Sequence, residues 1–482
     1  MQGVVFPYSA EGKRSTSELG RAVVSDALRQ VDPAGASQAE RETNWRTGYL
    51  VHFRRLLDAG LTSRAAAINL ATDGLDSLHA RMQVVGAHGD VAVKEWSAAD
   101  SGRELATVEI HGEGQTETEL SIPYRGRRLR GDELHDRLDD WVSGGVMEPT
   151  AAEAVRAVIA NPGWLRLDGH TVAVLGAGAE MGPLQALLHW GARVAAVDLP
   201  DPAIWARVAE TARHGAGALL LPAPPGDTSG ERAGVDLLGE VPAVRDWLTG
   251  MSGTLVLGNY VYADGATNVR VSTAVDALST RLLETRPDTS LAFLATPTDV
   301  FAVPVDAVEH STRQYASRST PTKLLSRPLR AASAGRLLRR NYVPGSSPGV
   351  VDSLVSQQGP NYALAKRLQR WRATVARDAG TTVSMNVAPP TRTRSVVKNR
   401  ALAAAYAGAH RFGVEVFDPA TSNVLMAALL VHDLHTGGGP AHEHPWEDEA
   451  FAAVHGGLWR TAYAPRSALG LAALLGYGAA RT

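Results

Sequence analysis

Residues 171–200 read TVAVLGAGAEMGPLQALLHWGARVAAVDLP, and no other stretch restricts the fold so tightly. An apolar run, Thr171–Leu175, enters a turn carrying Gly176, Gly178 and Gly182; a helical stretch follows, and a second apolar run ends at Asp198. Strand, glycine turn, helix and strand make a βαβ unit, which needs a parallel sheet covered by helices on both faces. Glycines allow the tight turn and let backbone N–H groups approach an anion where the helix begins. Asp198 lies 198 − 176 = 22 residues beyond Gly176, the spacing of an acid that grips a ribose hydroxyl. No arginine follows Asp198 directly, so NAD is favoured over NADP. An empty Rossmann domain or an S-adenosylmethionine site would share the same pattern.

Further apolar runs at 193–198, 217–221, 253–258, 290–296, 381–387 and 413–417 continue the strand–helix rhythm. The fold class expected is therefore α/β, a doubly wound parallel (Rossmann) sheet over 166–482. Residues 1–165 read as an N-terminal domain of helices plus a small antiparallel sheet. Leu50, Phe53, Leu56 and Leu57, then Leu70, Leu75, Leu78 and Met82, recur at helical spacing, with Gly60 as a stop and Thr62–Ser63 as a restart. Ala106, Val108 and Ile110 are predicted to pair with Leu120, Ile122 and Tyr124 across the Gly112–Gly114 turn.

Tyr362 and Lys366, in QGPNYALAK, stand four apart and so share one helix face. The chain has 11 tyrosines but only five lysines among its 48 basic residues, so chance supplies about 0.1 such pairs if positions are independent. A compact ammonium beside a phenol would lower the phenol's pKa toward the range of proton transfer. An incidental pair on an exposed helix face has the same spacing.

Around this pair the chain resembles the short-chain dehydrogenase/reductase family over about residues 170–420. GAGAEMG (176–182) is similar to the family's TGxxxGxG loop, with Glu180 replacing the middle glycine and Leu175 the threonine. NYALAK resembles its YxxxK segment, and GTLVLGNY (253–260) stands at its NAG strand, placing Asn259 at the cofactor. ATNVRVSTAVDALSTRLL resembles the helix of the active-site asparagine, here Asn268, and DTSLAFLAT the strand ending in the substrate-binding serine, here Thr296 or Thr298. The resemblance implies Tyr362 as general acid/base, Lys366 on the nicotinamide ribose, Thr296 on the substrate oxygen, Asn268 in a water relay and NAD on Asp198. The glycine segment also looks like that of alanine dehydrogenases, and Glu180 with the missing serine leaves a non-catalytic nucleotide-binding protein open.

Two segments lie outside this pattern. An insertion at about 302–350 carries Arg313, Arg318, Lys323, Arg327, Arg330, Arg336, Arg339 and Arg340 with no acid between Glu309 and Asp352. At an active-site mouth it would recognise an anionic handle such as acyl-CoA or a carrier-protein-bound group; Leu324–Leu325 and Leu337–Leu338 would suit a membrane surface, and a solvated loop is the plainer reading. A lid or tail at about 430–482 contains His432, His435, His442, His444 and His455 at spacings that match no metal site.

Composition narrows the class of function. With no cysteine there is no disulfide, thiolate metal site or cysteine nucleophile, and a net charge of −2 argues against a nucleic-acid partner. No run reaches the ~18 apolar residues of a membrane span, and residues 1–20 lack the apolar core of a signal peptide. A cytoplasmic homo-oligomer acting on a small-molecule substrate is the expectation.

Overall fold

The computed structural model describes residues 3–9, 11–86, 89–319 and 328–478. Its strands, in chain order, begin with β1 (Gly3–Val5), β2 (Gln83–Gly86), β3 (Gly89–Ala92), β4 (Ala106–His111), β5 (Ile122–Tyr124) and β6 (Arg127–Leu129). They continue with β7 (His170–Leu175), β8 (Arg193–Val197), β9 (Ala218–Ala223), β10 (Thr254–Asn259) and β11 (Ser290–Ala295). The last are β12 (Val300–Val303), β13 (Gly349–Asp352) and β14 (Val383–Val387).

Seven strands form the central sheet in the order β14-β11-β10-β7-β8-β9-β4. All neighbours are parallel except β4, which runs antiparallel to β9. The six parallel strands have the Rossmann order, reversing direction between β7 and β10. Alternation within each strand divides the core. Ala173 and Leu175 pack on one face with Leu278, Leu368 and Phe53. Val172 and Val174 pack on the other with Leu187, Leu425 and Leu429. Both faces are covered, so the strands are apolar throughout.

Three expectations change. Ala106–His111 does not pair with residues 120–124; it adds a strand to the main sheet, while β5 pairs with β6. The Gly112–Gly114 turn instead lies against the chain at Gly215, where a Cβ on Gly112 would strike the Gly215 backbone. The run 413–417 is not a strand of the sheet and makes only an isolated bridge, Phe417 to Thr391. The insertion is partly ordered structure: β12, the helix Val305–Ala316 and β13, with β12 and β13 paired antiparallel. Lys323, Arg327 and Leu324–Leu325 lie outside the described residues.

The helices expected in the first third are present at Trp45–Gly60 and Arg64–Arg81, and the Ser63 side chain caps the second by accepting from the Ala66 N–H. Both pack on the helix Gly359–Asp378; Gly74 leaves room for the Trp371 ring. His79 Nε2 and the Arg372 guanidinium share buried Asp276, at 2.6 Å and 2.7–2.8 Å. No helix among the described residues is long and apolar enough to cross a membrane.

Candidate active site

A cleft of about 1000 Å³ opens at the carboxyl ends of the strands, where the order reverses between β7 and β10. This is where open α/β sheets bind ligands, and the volume is at the top of the usual ~300–1000 Å³ range. Strands end here in groups separated by the reversal, so loops diverge and leave a crevice.

One half of the cleft belongs to the glycine turn. Gly176 adopts φ +81°, and a Cβ there would press on the Val261 backbone at 3.0 Å. Gly178 N–H donates to Asp198 Oδ2 at 2.7 Å, and Leu199 N–H donates to Oδ1 at 2.8 Å. Asp198 therefore ties the glycine turn to the end of β8. Gly182 is not among the lining residues, because the helix begins only at Leu184 and is six residues long. Glu180 neither floats in solvent nor stands unpaired. Its carboxylate accepts the Arg394 N–H at 2.8 Å and meets the Arg394 Nε at 3.3 Å, joining the turn to the loop after β14. Asn259, at the end of β10, is buried, and its Oδ1 has no hydrogen-bond partner among the described residues.

The other half gathers the remaining candidates. Tyr362 and Lys366 occupy the first two turns of Gly359–Asp378, and both address the end of β11. Tyr362, Thr296 and Thr298 line one small space, where Thr296 Oγ1 lies 2.9 Å from Thr298 Oγ1. Lys366 Nζ donates to the Leu294 carbonyl and to Gln369 Oε1, each at 3.1 Å. Asn268 is buried at the start of the helix Ala266–Thr285, and its Oδ1 accepts the Ala263 N–H at 3.2 Å. Tyr362, Lys366, Thr296, Asn268, Gly176, Gly178, Asp198 and Asn259 thus line one cleft.

The electrostatics differ from the expectation in one respect. Burial raises the Tyr362 pKa, against a smaller lowering by Thr296. Burial also brings Lys366 down to about 8. Removal from water dominates for both groups, and the Lys366 ammonium makes its bonds to Leu294 and Gln369. Near neutral pH the phenol keeps its proton.

Several contributors were not evident from spacing. Tyr260, Tyr262 and Tyr406 join Tyr362 on the cleft wall, with the Tyr262 and Tyr362 rings 6.3 Å apart edge to face. Tyr49, from the N-terminal helices, reaches behind Tyr362 beside Gln358 and Gly359. An Arg207 Nη atom comes within 3.0 Å of where a Gly178 Cβ would stand, at the corner held by Asp198. These residues lie on separate loops and helices, with no local motif to mark them.

The two outlying segments lie mostly away from the cleft. None of the described basic residues of the insertion lines the cleft. Arg318, Arg330 and Arg340 instead surround Tyr315, with the Arg318 guanidinium 3.4 Å from its ring centroid. The tail is packed within the chain and each of its five histidines has a structural partner. His432 meets Asp433, His435 stacks on Trp164, His442 meets Asp448, His444 caps the helix Pro445–Ala450 and His455 meets Glu148.

No protein-family model matches the chain, and no curated protein matches it. Among solved structures it is similar to an A1-type ketoreductase, at 14% identity over 56% of this chain and 47% of that one, with TM-score 0.31. A thiolation-reductase di-domain from an archaeal non-ribosomal peptide synthetase matches at 12% identity, 56% and 54% coverage and TM-score 0.27. The terminal R domain from the myxalamid PKS-NRPS biosynthetic pathway matches at 13% identity, 61% and 69% coverage and TM-score 0.28. The match spans about half the length of the first two. The class is set by the sheet order and the switch-point cleft: a Rossmann-like α/β protein.

Proposed function

We propose that this protein is a nicotinamide-dinucleotide-dependent reductase that converts a carbonyl group to an alcohol. The observation carrying this reading is the convergence of Tyr362, Thr296 and Lys366 at the end of β11, inside the switch-point cleft. The positive φ of Gly176 and the Asn259 amide oxygen, without a partner among the described residues, suit a dinucleotide. Asp198, beside Gly178, would take the adenosine ribose hydroxyls and favour NAD, and Lys366 would hold the nicotinamide ribose.

Bound by Asp198 and Lys366, a reduced nicotinamide dinucleotide would supply hydride-transfer chemistry at the carbonyl carbon. Thr296 Oγ1 holds the carbonyl oxygen, and the Tyr362 hydroxyl gives that oxygen its proton as the C=O π pair moves onto it. Thr298 Oγ1, 2.9 Å from Thr296 Oγ1, would extend the hydroxyl set beside the phenol for reprotonation. Burial raises the Tyr362 pKa, so the phenol keeps its proton at neutral pH and can donate it in the reduction.

Tyr362→Phe tests the assignment. Loss of the general acid should lower kcat by about 10²–10⁴-fold, with NADH binding unchanged by isothermal titration. Thr296 retains Thr298 as a partner, so the stability cost should be limited to about 1 kcal/mol. Unaltered turnover would remove Tyr362 from the reaction. The Glu180–Arg394 bridge across the glycine turn favours a second reading, a nucleotide-binding protein without turnover, which tight NADH binding with no reduction of any carbonyl would support.

A further inference from the structure

Next to the cleft lies a second, almost wholly apolar cavity of about 80 Å³. Pro390, Leu402 and Tyr406 form walls of both spaces. Thr298 also lines the cavity; its hydroxyl is 2.9 Å from that of Thr296, and both threonines line one small space with Tyr362. The apolar space therefore begins beside the proton donor, across Thr298 and the shared wall residue Tyr406. We infer that it holds an aliphatic chain attached to the carbonyl group, so that the substrate is a short- to medium-chain aldehyde or ketone. This rests on the reductase reading above and gives its substrate class.

The wall chemistry supports a hydrocarbon occupant. Ala405, Phe412, Val414, Ala468 and Leu469 supply much of the surface. The nearby polar groups are mostly engaged elsewhere: Thr461 donates to the Phe412 carbonyl at 2.6 Å, and Arg466 pairs with Asp352 at 2.7 Å. Ser353 adds one buried hydroxyl without a partner among the described residues, enough for a single acceptor along the chain and too little for a polyol or sugar. The C-terminal tail builds the far wall. Helices Arg400–Gly408 and Pro465–Gly476 approach backbone to backbone, because a Cβ on Gly408 would collide with the Ala472 carbonyl and one on Gly476 with the Ala404 carbonyl. At ~10–15 Å³ for each water-sized occupant, the cavity admits about six heavy atoms.

The test is the rate of NADH- or NADPH-dependent reduction of straight-chain aldehydes from two to ten carbons by the full chain. Each buried methylene should raise kcat/KM about fourfold, a factor equivalent to ~0.8 kcal/mol, until about six to eight carbons, after which the series should level. Ala468→Phe should flatten the series while leaving acetaldehyde turnover intact. Phe412→Ala, which enlarges the cavity, should move the break to longer chains and so separates a filled cavity from a misfolded protein. Titration calorimetry with the matching 1-alkanols, without nucleotide, reads the cavity independently of catalysis. Rising affinity with the same break, in the absence of any turnover, would reject the reductase reading and keep the chain-binding cavity. A flat affinity series, or a break that neither variant moves, overturns the inference.

Discussion

Glu148→Gln should destabilise the protein by about 3–4 kcal/mol at pH 7, in a manner that pH itself can reveal. Glu148 is buried at the start of the helix Pro149–Ala160 and receives three donors from the C-terminal tail. His455 Nε2 lies 2.8 Å from Oε1, Arg460 Nε 2.8 Å from Oε1 and Arg460 Nη2 2.6 Å from Oε2. His455 Nδ1 accepts the Gly457 N–H at 3.1 Å, leaving the ring proton on Nε2 to face Glu148. Burial lowers the His455 pKa, so the ring is neutral and Arg460 is the charged partner.

Burial would raise the Glu148 pKa, but the His455 and Arg460 bonds together lower it from 4.5 to about 2. At ~1.36 kcal/mol per pH unit, that is about 3 kcal/mol of stability. Breaking one side of a buried pair independently suggests ~3–5 kcal/mol. Asp306 remains beside Arg460 at 2.5 Å and softens the loss. With an unfolding entropy of ~2.1 cal/mol/K per residue, cooperative melting of 482 residues would shift by about 3–4 °C. The carboxyl is depressed, so its contribution is complete above pH 4.5 and disappears as the pH falls toward 2. Differential scanning calorimetry across that range should show the wild-type and variant Tm values converging. A gap below 1 °C at pH 7, or one that stays constant down to pH 2.5, would refute the argument.

Two other outcomes follow from the cleft. Lys366 has a pKa of about 8 through burial, so the rise of pH through 8 removes its ammonium; kcat/KM for reduction should fall there, and Lys366→Arg should carry the activity to higher pH. A flat profile to pH 10 would contradict a role for that charge. Asp198→Ala removes the acceptor for the Gly178 N–H and leaves the Arg207 guanidinium near the same corner. NADH binding should weaken by about tenfold or more, the loss of a charged hydrogen bond, while relative preference moves toward NADPH; titration with both nucleotides checks the direction, and unchanged affinities would exclude Asp198 from the ribose site.

Much of the sheet was readable because a strand buried on both faces must be apolar along its length, and each such run here is closed by a turn. The same reasoning failed at Ala106–His111. Its alternation showed a strand with one covered face, but a strand carries no label for its partner, and the chain selected β9 over the local hairpin. The run 413–417 was apolar enough for a strand but found no sheet edge, since β14 already ends the sheet and the tail occupies the space beyond it.

For the site, sequence alone determined the glycine turn, Asp198 and the Tyr362–Lys366 pair, because short-range geometry controls them: a turn requires glycine, and a spacing of four puts two side chains on one helix face. Tertiary structure alone decided what surrounds them. It set Arg394 against Glu180, brought Tyr49 behind Tyr362, gathered Arg318, Arg330 and Arg340 of the insertion around Tyr315 away from the cleft, and used the tail to wall an apolar cavity. It also reversed the expected direction for Tyr362, whose protonation depends on how much water the packed fold excludes. Desolvation is a property of everything folded around a group, and no local spacing encodes it.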